Sequence, residues 1–194
     1  MSRKEHLVKT AQALFYKQGI RATGIDTILA ESGVAKKTLY NHFKSKDELV
    51  IAALQRRDQQ FMDMLRTGVH KHTPLQSGDE RLARVLAFFD TLTEWIQSES
   101  FYGCMFINAS AEYPRQNDPV HVACASHKRL VIQFIEELLA RGNFEHSYNL
   151  ARQIALLADG AIVNAYTTND LNAAKEAKSM AVVILEPQLP VSLH

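Results

Sequence analysis

The chain has 194 residues, 46% hydrophobic and 22% charged, a composition that supports a sizeable buried core and excludes global disorder. Its uninterrupted apolar runs reach only six residues, at Leu49–Leu54 and Met180–Leu185, too short to span a bilayer. The formal charge of +1 hides an asymmetry: residues 1–57 hold 11 Lys/Arg against 5 Asp/Glu, a surplus of six, and the remainder is acidic by five. A basic first third on an acidic body suits a module for a polyanion joined to something else.

Helical spacing dominates and strand alternation is nearly absent. Leu7, Ala11, Leu14 and Phe15 form the stripe of a helix over residues 3–18, which Gly19 stops. Thr23 with Asp26 has the spacing of a capping box and predicts a short helix through Ile25, Ile28 and Leu29. Gly33 supplies a turn, and Leu39 with Phe43 gives the next short helix one buried side. Ser45 caps a long helix, with Asp47 and Glu48 in its first turn, and Ile51, Leu54, Phe61, Leu65 and Val69 as its stripe. After a loop at Thr73 to Gly78, residues 79–98 form a helix on Leu82, Val85, Leu86, Phe89 and Ile96. Gly103 starts a shorter helix that Pro114 ends. Residues 120–141 are helical on Val122, Val131, Phe134, Ile135 and Leu138, ending at Gly142, and residues 147–167 repeat the pattern. A last helix covers about 171–186, with Pro187 and Pro190 behind it. The expected fold is all-α, with about nine helices.

Residues 25–43 are two short helices joined by a tight glycine turn, the helix-turn-helix arrangement whose second helix enters the DNA major groove. Leu39, Phe43, Ile28 and Val34 are assigned to the core, and Lys36, Lys37, Tyr40, Asn41 and Lys44 to the opposite side. Lysines donate to guanine O6/N7 or to phosphates, and Asn pairs with adenine. Tyr40 and Thr38 are donors for phosphate oxygens, and Lys46 adds charge at a helix N-terminus that already favours phosphate. The competing reading of the lysines is a plain solvated face.

Residues 3–50, above all Gly33 to Leu49, resemble the N-terminal DNA-binding domain of the tetracycline-repressor (TetR) family. That family's pattern is roughly Gly-Val-Ser-x-x-x-Leu-Tyr-x-x-Phe-x-x-Lys-x-x-Leu, and Leu39, Tyr40, Phe43, Lys46 and Leu49 fall in place. The resemblance implies a one-component transcription factor, usually a repressor, that binds a palindromic double-stranded operator as a homodimer and answers to a small-molecule effector. Carried over by position, Lys36, Lys37, Thr38, Tyr40, Asn41 and His42 would read groove and backbone, with Lys46 and Thr23 as backbone contacts. Tyr40→Phe with Lys46→Ala is then expected to weaken DNA binding and spare folding. Ala35 and Gly24 depart from the family in lacking hydroxyls at the starts of the two short helices.

For the remainder, the resemblance implies an effector pocket among the middle helices and a dimer interface from the last two. Phe88, Trp95, Cys104, Phe106 and Tyr113 are the pocket candidates, from a stretch rich in aromatics that could equally be core. The segment Gly103 to Asn108 also resembles a Gly-Cys-x-Phe-x-Asn stretch of a subset of these regulators. Leu150, Ile154, Leu157, Ala161, Ala177 and Ala181 are the interface candidates, because small residues let helices approach closely, although alanine is also simply a good helix former.

Other chemistry is weak. His121 and His127 stand about 120° apart on a helix, and with Cys124 they do not make a four-ligand set. Cys104 and Cys124 make no disulfide framework, and no adjacent group argues for a reactive thiol. No phosphate-binding glycine loop or nucleophile elbow occurs, so no enzyme, cofactor or metal is expected. The N-terminus lacks the apolar stretch of a secretory signal, so a soluble cytoplasmic protein is expected, nucleoid-associated when on DNA. Residues 1–46 are read as the DNA-binding domain and 47–194 as the effector-binding and dimerisation domain. The alternatives are an activator of the same family, or a helical small-molecule-binding protein without operator specificity.

Overall fold

A computed structural model describes residues 2–189. Among them are nine α-helices and no strand: α1 (Arg3–Gln18), α2 (Ile25–Ser32), α3 (Lys36–His42), α4 (Lys46–His72), α5 (Glu80–Ile96), α6 (Met105–Glu112), α7 (Pro119–Ala140), α8 (Ser147–Thr168) and α9 (Ala173–Leu185). The short turns Thr73–Leu75 and Glu186–Gln188 are 3-10 in type. Pro190 lies outside the described residues. Among the described residues no helix is long and apolar enough to cross a membrane.

The helices fall into two compact units. Among the described residues, the first runs to Phe61 and takes in Cys104–His127, and the second comprises Met62–Gly103 and the residues from Lys128 to Leu189. Thus α4 and α7 each contribute to both.

In the first unit α1 packs on α2 and α3. Leu7, Ala11 and Phe15 of α1 are buried with Ile28, Leu39 and Phe43, as their spacing requires. Ser2 and Glu5 form the reciprocal capping box that satisfies the first amides of α1. The box expected from Thr23 and Asp26 does not form. Gly24 is the N-cap of α2 and offers no side chain, Asp26 is exposed, and Thr23 is turned inward, fully buried. The Thr23 hydroxyl donates to the Gly19 carbonyl at 2.7 Å and accepts from Gln18 Nε2 at 3.2 Å. Ser45 caps α4 as expected, accepting the Glu48 amide at 3.2 Å, while Glu48 accepts the Lys44 amide at 2.7 Å.

The second unit is built around α5, whose Val85, Ala87, Phe88, Phe89 and Leu92 are almost wholly enclosed. Helices α8 and α9 pack on each other and on α5. Thr91 and Thr93 enter this core because their hydroxyls donate to the Ala87 and Phe89 carbonyls of the preceding turn. At the crossing of α4 and α5 a Cβ on Gly68 would stand 2.2 Å from the Thr91 methyl, so only glycine allows this approach. On α7 the stripe differs from expectation at one place. Val120, Cys124, Val131, Phe134, Ile135 and Leu138 are buried, whereas Val122 is 45% exposed, one helical step off the seam.

Candidate nucleic-acid interface

The turn between α2 and α3 forms because Gly33 adopts φ +64°, a left-handed conformation that glycine takes without a Cβ clash, and its amide closes on the Leu29 carbonyl. Val34 then donates its amide to Ser32 Oγ at 3.3 Å. Leu39 and Phe43 anchor α3 inward, so the rest of its surface points out. Lys36, Lys37, Tyr40, Asn41, His42 and the following Lys44 are exposed, and Thr38 and Val34 are half-buried.

This exposed set carries cations with little to neutralise them. Lys36 meets Asp26 at 3.8 Å, with both side chains well exposed, a pair worth about 0–1 kcal/mol and readily exchanged for a phosphate. Ala35 leaves the start of α3 without a side-chain cap, and the Thr38 amide closes on the Ala35 carbonyl at 2.9 Å.

Two residues assigned to DNA from the sequence are placed differently. Thr23 is enclosed and its hydroxyl is already bonded to the Gly19 carbonyl. Lys46 is half-buried, with Nζ 2.6 Å from the Ile20 carbonyl oxygen and 6.0 Å from the centroid of the Phe15 ring. Burial lowers its pKa, while Glu112 and Asp47 oppose that shift. Lys46 is therefore a brace between the start of α4 and the corner after α1. Lys46→Ala would disturb the fold as well as any DNA contact.

The same corner is held from the far side of the sequence. Glu112, the last residue of α6, accepts the Ile20 amide at 2.9 Å and the Arg21 amide at 2.6 Å. Next to it the Tyr113 hydroxyl donates to Asp47 at 2.8 Å, and burial with that bond pushes the phenol well above its usual range. Gly19, at φ +90°, lets the chain turn beneath the Glu112 carboxylate. Sequence reasoning missed this clasp, because nothing local pairs residues 91 and 92 apart.

The pocket candidates are divided between the units. Phe88 is core, edge-on to Phe89, and Trp95 packs edge-on to Phe101, both in the second unit. Trp95 also lines a cleft of about 430 Å³ with Gly68, Lys71 and Glu94. Cys104, Phe106 and Tyr113 lie in the first unit. Phe106 stacks on His127 at 3.5 Å, and His127 Nδ1 is 2.6 Å from Asp58. His121 reaches the Tyr113 carbonyl at 2.8 Å.

The interface candidates lie largely inside the protomer. Leu150, Ile154, Ala161, Ala177 and Ala181 are buried within the protomer and Leu157 is half-buried. The alanines allow close packing of α8 and α9 inside one chain. The other face of the pair is exposed and apolar: Leu156 and Val183 are each 73% exposed, Met180 55% and Val163 41%. Their spacing was in the sequence, as a second apolar stripe beside the alanine one.

A basic outward helix set on a glycine turn, carried by a chain whose described residues form helices and no strand, defines a helix-turn-helix DNA-binding protein. Residues 7–53 match the model described as bacterial regulatory proteins, tetR family, and residues 81–181 match the tetracyclin repressor-like, C-terminal domain. The solved structure of SCO4454, a TetR-family transcriptional regulator from Streptomyces coelicolor, is similar with 31% identity and a TM-score of 0.81, covering 96% of this chain and 95% of that one. The transcriptional repressor NemR of Escherichia coli (strain K12) is 28% identical over 145 residues, 74% of this chain and 70% of that protein. The transcriptional activator FasR of Mycolicibacterium smegmatis is 35% identical over 123 residues, 62% of this chain and 53% of that protein. The chain belongs to the TetR family of transcriptional regulators, which bind DNA and are not enzymes.

Proposed function

We propose that this regulator is a cytoplasmic repressor that binds an inverted-repeat operator as a homodimer and leaves it when a small-molecule effector binds. The outward set on α3 carries this reading: Lys36, Lys37, Tyr40, Asn41 and His42 are exposed together on a helix whose other face is fixed by Leu39. Asn41 and the lysines read base edges, and Tyr40, Thr38 and Lys44 take phosphates. Residues 1–46 do the reading, and 47–194 dimerise and bind effector. Two copies meet through Leu156, Val163, Met180 and Val183, an exposed apolar face of the kind a second protein covers.

The effector acts as a coupling free energy of about 1–3 kcal/mol between its site and the operator. Two recognition helices must match major grooves about 34 Å apart, so a small pivot removes the fit. The Glu112 clasp is the handle for that pivot. Any shift of α6 is felt at the amides of Ile20 and Arg21, directly before α2.

Selection from a random duplex library by the purified protein, at low and moderate salt, tests the reading. An enriched inverted repeat is expected. Binding that depends on salt but not on sequence would remove the assignment of Asn41 and the lysines as readers. A reporter carrying the selected repeat is expected to be silenced, and enhanced expression would make the chain an activator instead.

A further inference from the structure

The end of α4, the first turns of α5 and the end of α7 enclose a cleft of about 370 Å³ within the second unit. That volume lies in the range of small-molecule sites, roughly 300–1,000 Å³. Its floor is apolar: Val69, Phe134 and Leu138 are 6%, 8% and 4% exposed. Its rim is cationic, with Arg66, Arg84 and Arg141 against the single carboxylate of Glu137, and His70 adds another nitrogen.

The state of these arginines matters more than their number. Arg81, one turn before Arg84, is locked onto Asp79 through two nitrogens and is unavailable. Arg66 touches Asp63 at 3.3 Å in a pair exposed by more than half on each side, which an incoming anion displaces cheaply. The guanidinium groups of Arg84 and Arg141 make no hydrogen bond or ion pair among the described residues, although the Arg141 amide donates to the Glu137 carbonyl one turn back. The wall that brings α7 to α5 is fixed by close approach: a Cβ on Gly142 would stand 2.5 Å from the Arg81 carbonyl oxygen. Two unpartnered guanidiniums, one of them half-buried, thus overlook a greasy floor.

We propose that this cleft binds a small organic anion, a carboxylate or sulfonate on an apolar body. The body lies on Val69, Phe134 and Leu138, and the head is held by Arg84 and Arg141. Guanidinium suits such a head because its planar fork donates two parallel hydrogen bonds to one oxyanion. A neutral ligand of the same shape would leave the arginines unpaired, and a cation would be repelled. This ligand class rests on the effector reading above for its regulatory meaning, while the binding itself is independent of DNA.

The test uses the full-length protein and two fluorescent probes of nearly equal shape, anilinonaphthalene sulfonate and its uncharged analogue phenylnaphthylamine. The sulfonate is expected to bind at least about tenfold more tightly, and Arg84→Gln with Arg141→Gln should remove that preference without changing the affinity for the neutral dye. Glu137→Gln, which removes the opposing charge, should tighten the sulfonate severalfold, and it serves as the second arm if the arginine variant unfolds. Equal affinity for the two dyes, or sulfonate binding untouched by all three substitutions, would overturn the proposal. A duplex carrying the selected repeat separates this from the effector reading. Sulfonate binding with no change in duplex affinity keeps the anion site and removes its role as effector site.

Discussion

Helix α3 and the pair α8–α9 are built on the same plan and end with opposite surfaces. Each fixes one face against its own unit and leaves the other to solvent. On α3 the fixed face is Leu39, flanked by Phe43, and the open one is Lys36, Lys37, Tyr40, Asn41 and His42. On α8 and α9 the fixed face is alanine-rich and the open one is Leu156, Val163, Met180 and Val183. A cationic open face is matched by a polyanion, and an apolar one by another protein surface. The difference teaches that the proposed partner of each face is read from the type of residue left outside, once the core has taken its share. It is not read from the abundance of small residues.

Charging the apolar face should produce the largest effect. Leu156→Arg with Val183→Arg is expected to give monomers in analytical ultracentrifugation and an operator affinity lower by on the order of 10²–10⁴, because the second half-site no longer binds intramolecularly. Folding should survive, since both side chains are 73% exposed. Dimers of unchanged affinity would break the comparison on that side.

The polar face predicts a smaller loss of a different kind. Asn41→Ala should cost about 1–3 kcal/mol of discrimination and relax the selected sequence at one position of each half-site. Lys44→Ala should instead weaken all duplexes alike and lower the slope of affinity against salt by about one. Titrations of matched and mutated duplexes at several salt concentrations read both.

Changes within the scaffold should move stability first. Gly68→Ala forces the α4–α5 crossing open and is expected to cost about 1–3 kcal/mol in denaturant unfolding. Glu112→Ala removes the acceptor of two amides and should cost about 1–2 kcal/mol. It should also reduce the amount of duplex released by effector, which Gly68→Ala should not.

The smallest effect concerns the cap of α5. Hydrogen bonds from Arg81 hold the Asp79 carboxyl near pKa 2 against an ordinary 3.8. A lowered folded-state pKa stabilises above the unfolded value, and that stabilisation is lost as pH falls through the folded one. Asp79→Asn should therefore lower the melting temperature slightly at neutral pH, with the gap closing between about pH 4 and pH 2.

The fold was legible because its signals are local. Gly19, Gly33 and Ser45, with the apolar stripes between them, set the helices of the first unit within a residue or two. The outward side chains of α3 followed from Leu39 and Phe43 alone. Legibility failed wherever two non-local surfaces compete for one residue. Thr23 and Asp26 have the spacing of a cap, yet burial of the Thr23 hydroxyl against Gly19 wins. Lys46 fits the family's phosphate position, yet the Ile20 carbonyl lies within reach of its ammonium. Helix α8 carries two apolar stripes, and no local rule says which turns inward. That choice depends on α5 and α9, which come from elsewhere in the chain.

The central claim, that the cationic face takes DNA and the apolar face takes a second copy, is tested most directly by the mass of the complex. Sedimentation of the wild-type protein with the selected duplex should give two protomers per duplex, and the Leu156→Arg/Val183→Arg variant should give none at the same concentration. One protomer per duplex, or two from the charged variant at undiminished affinity, would contradict the account.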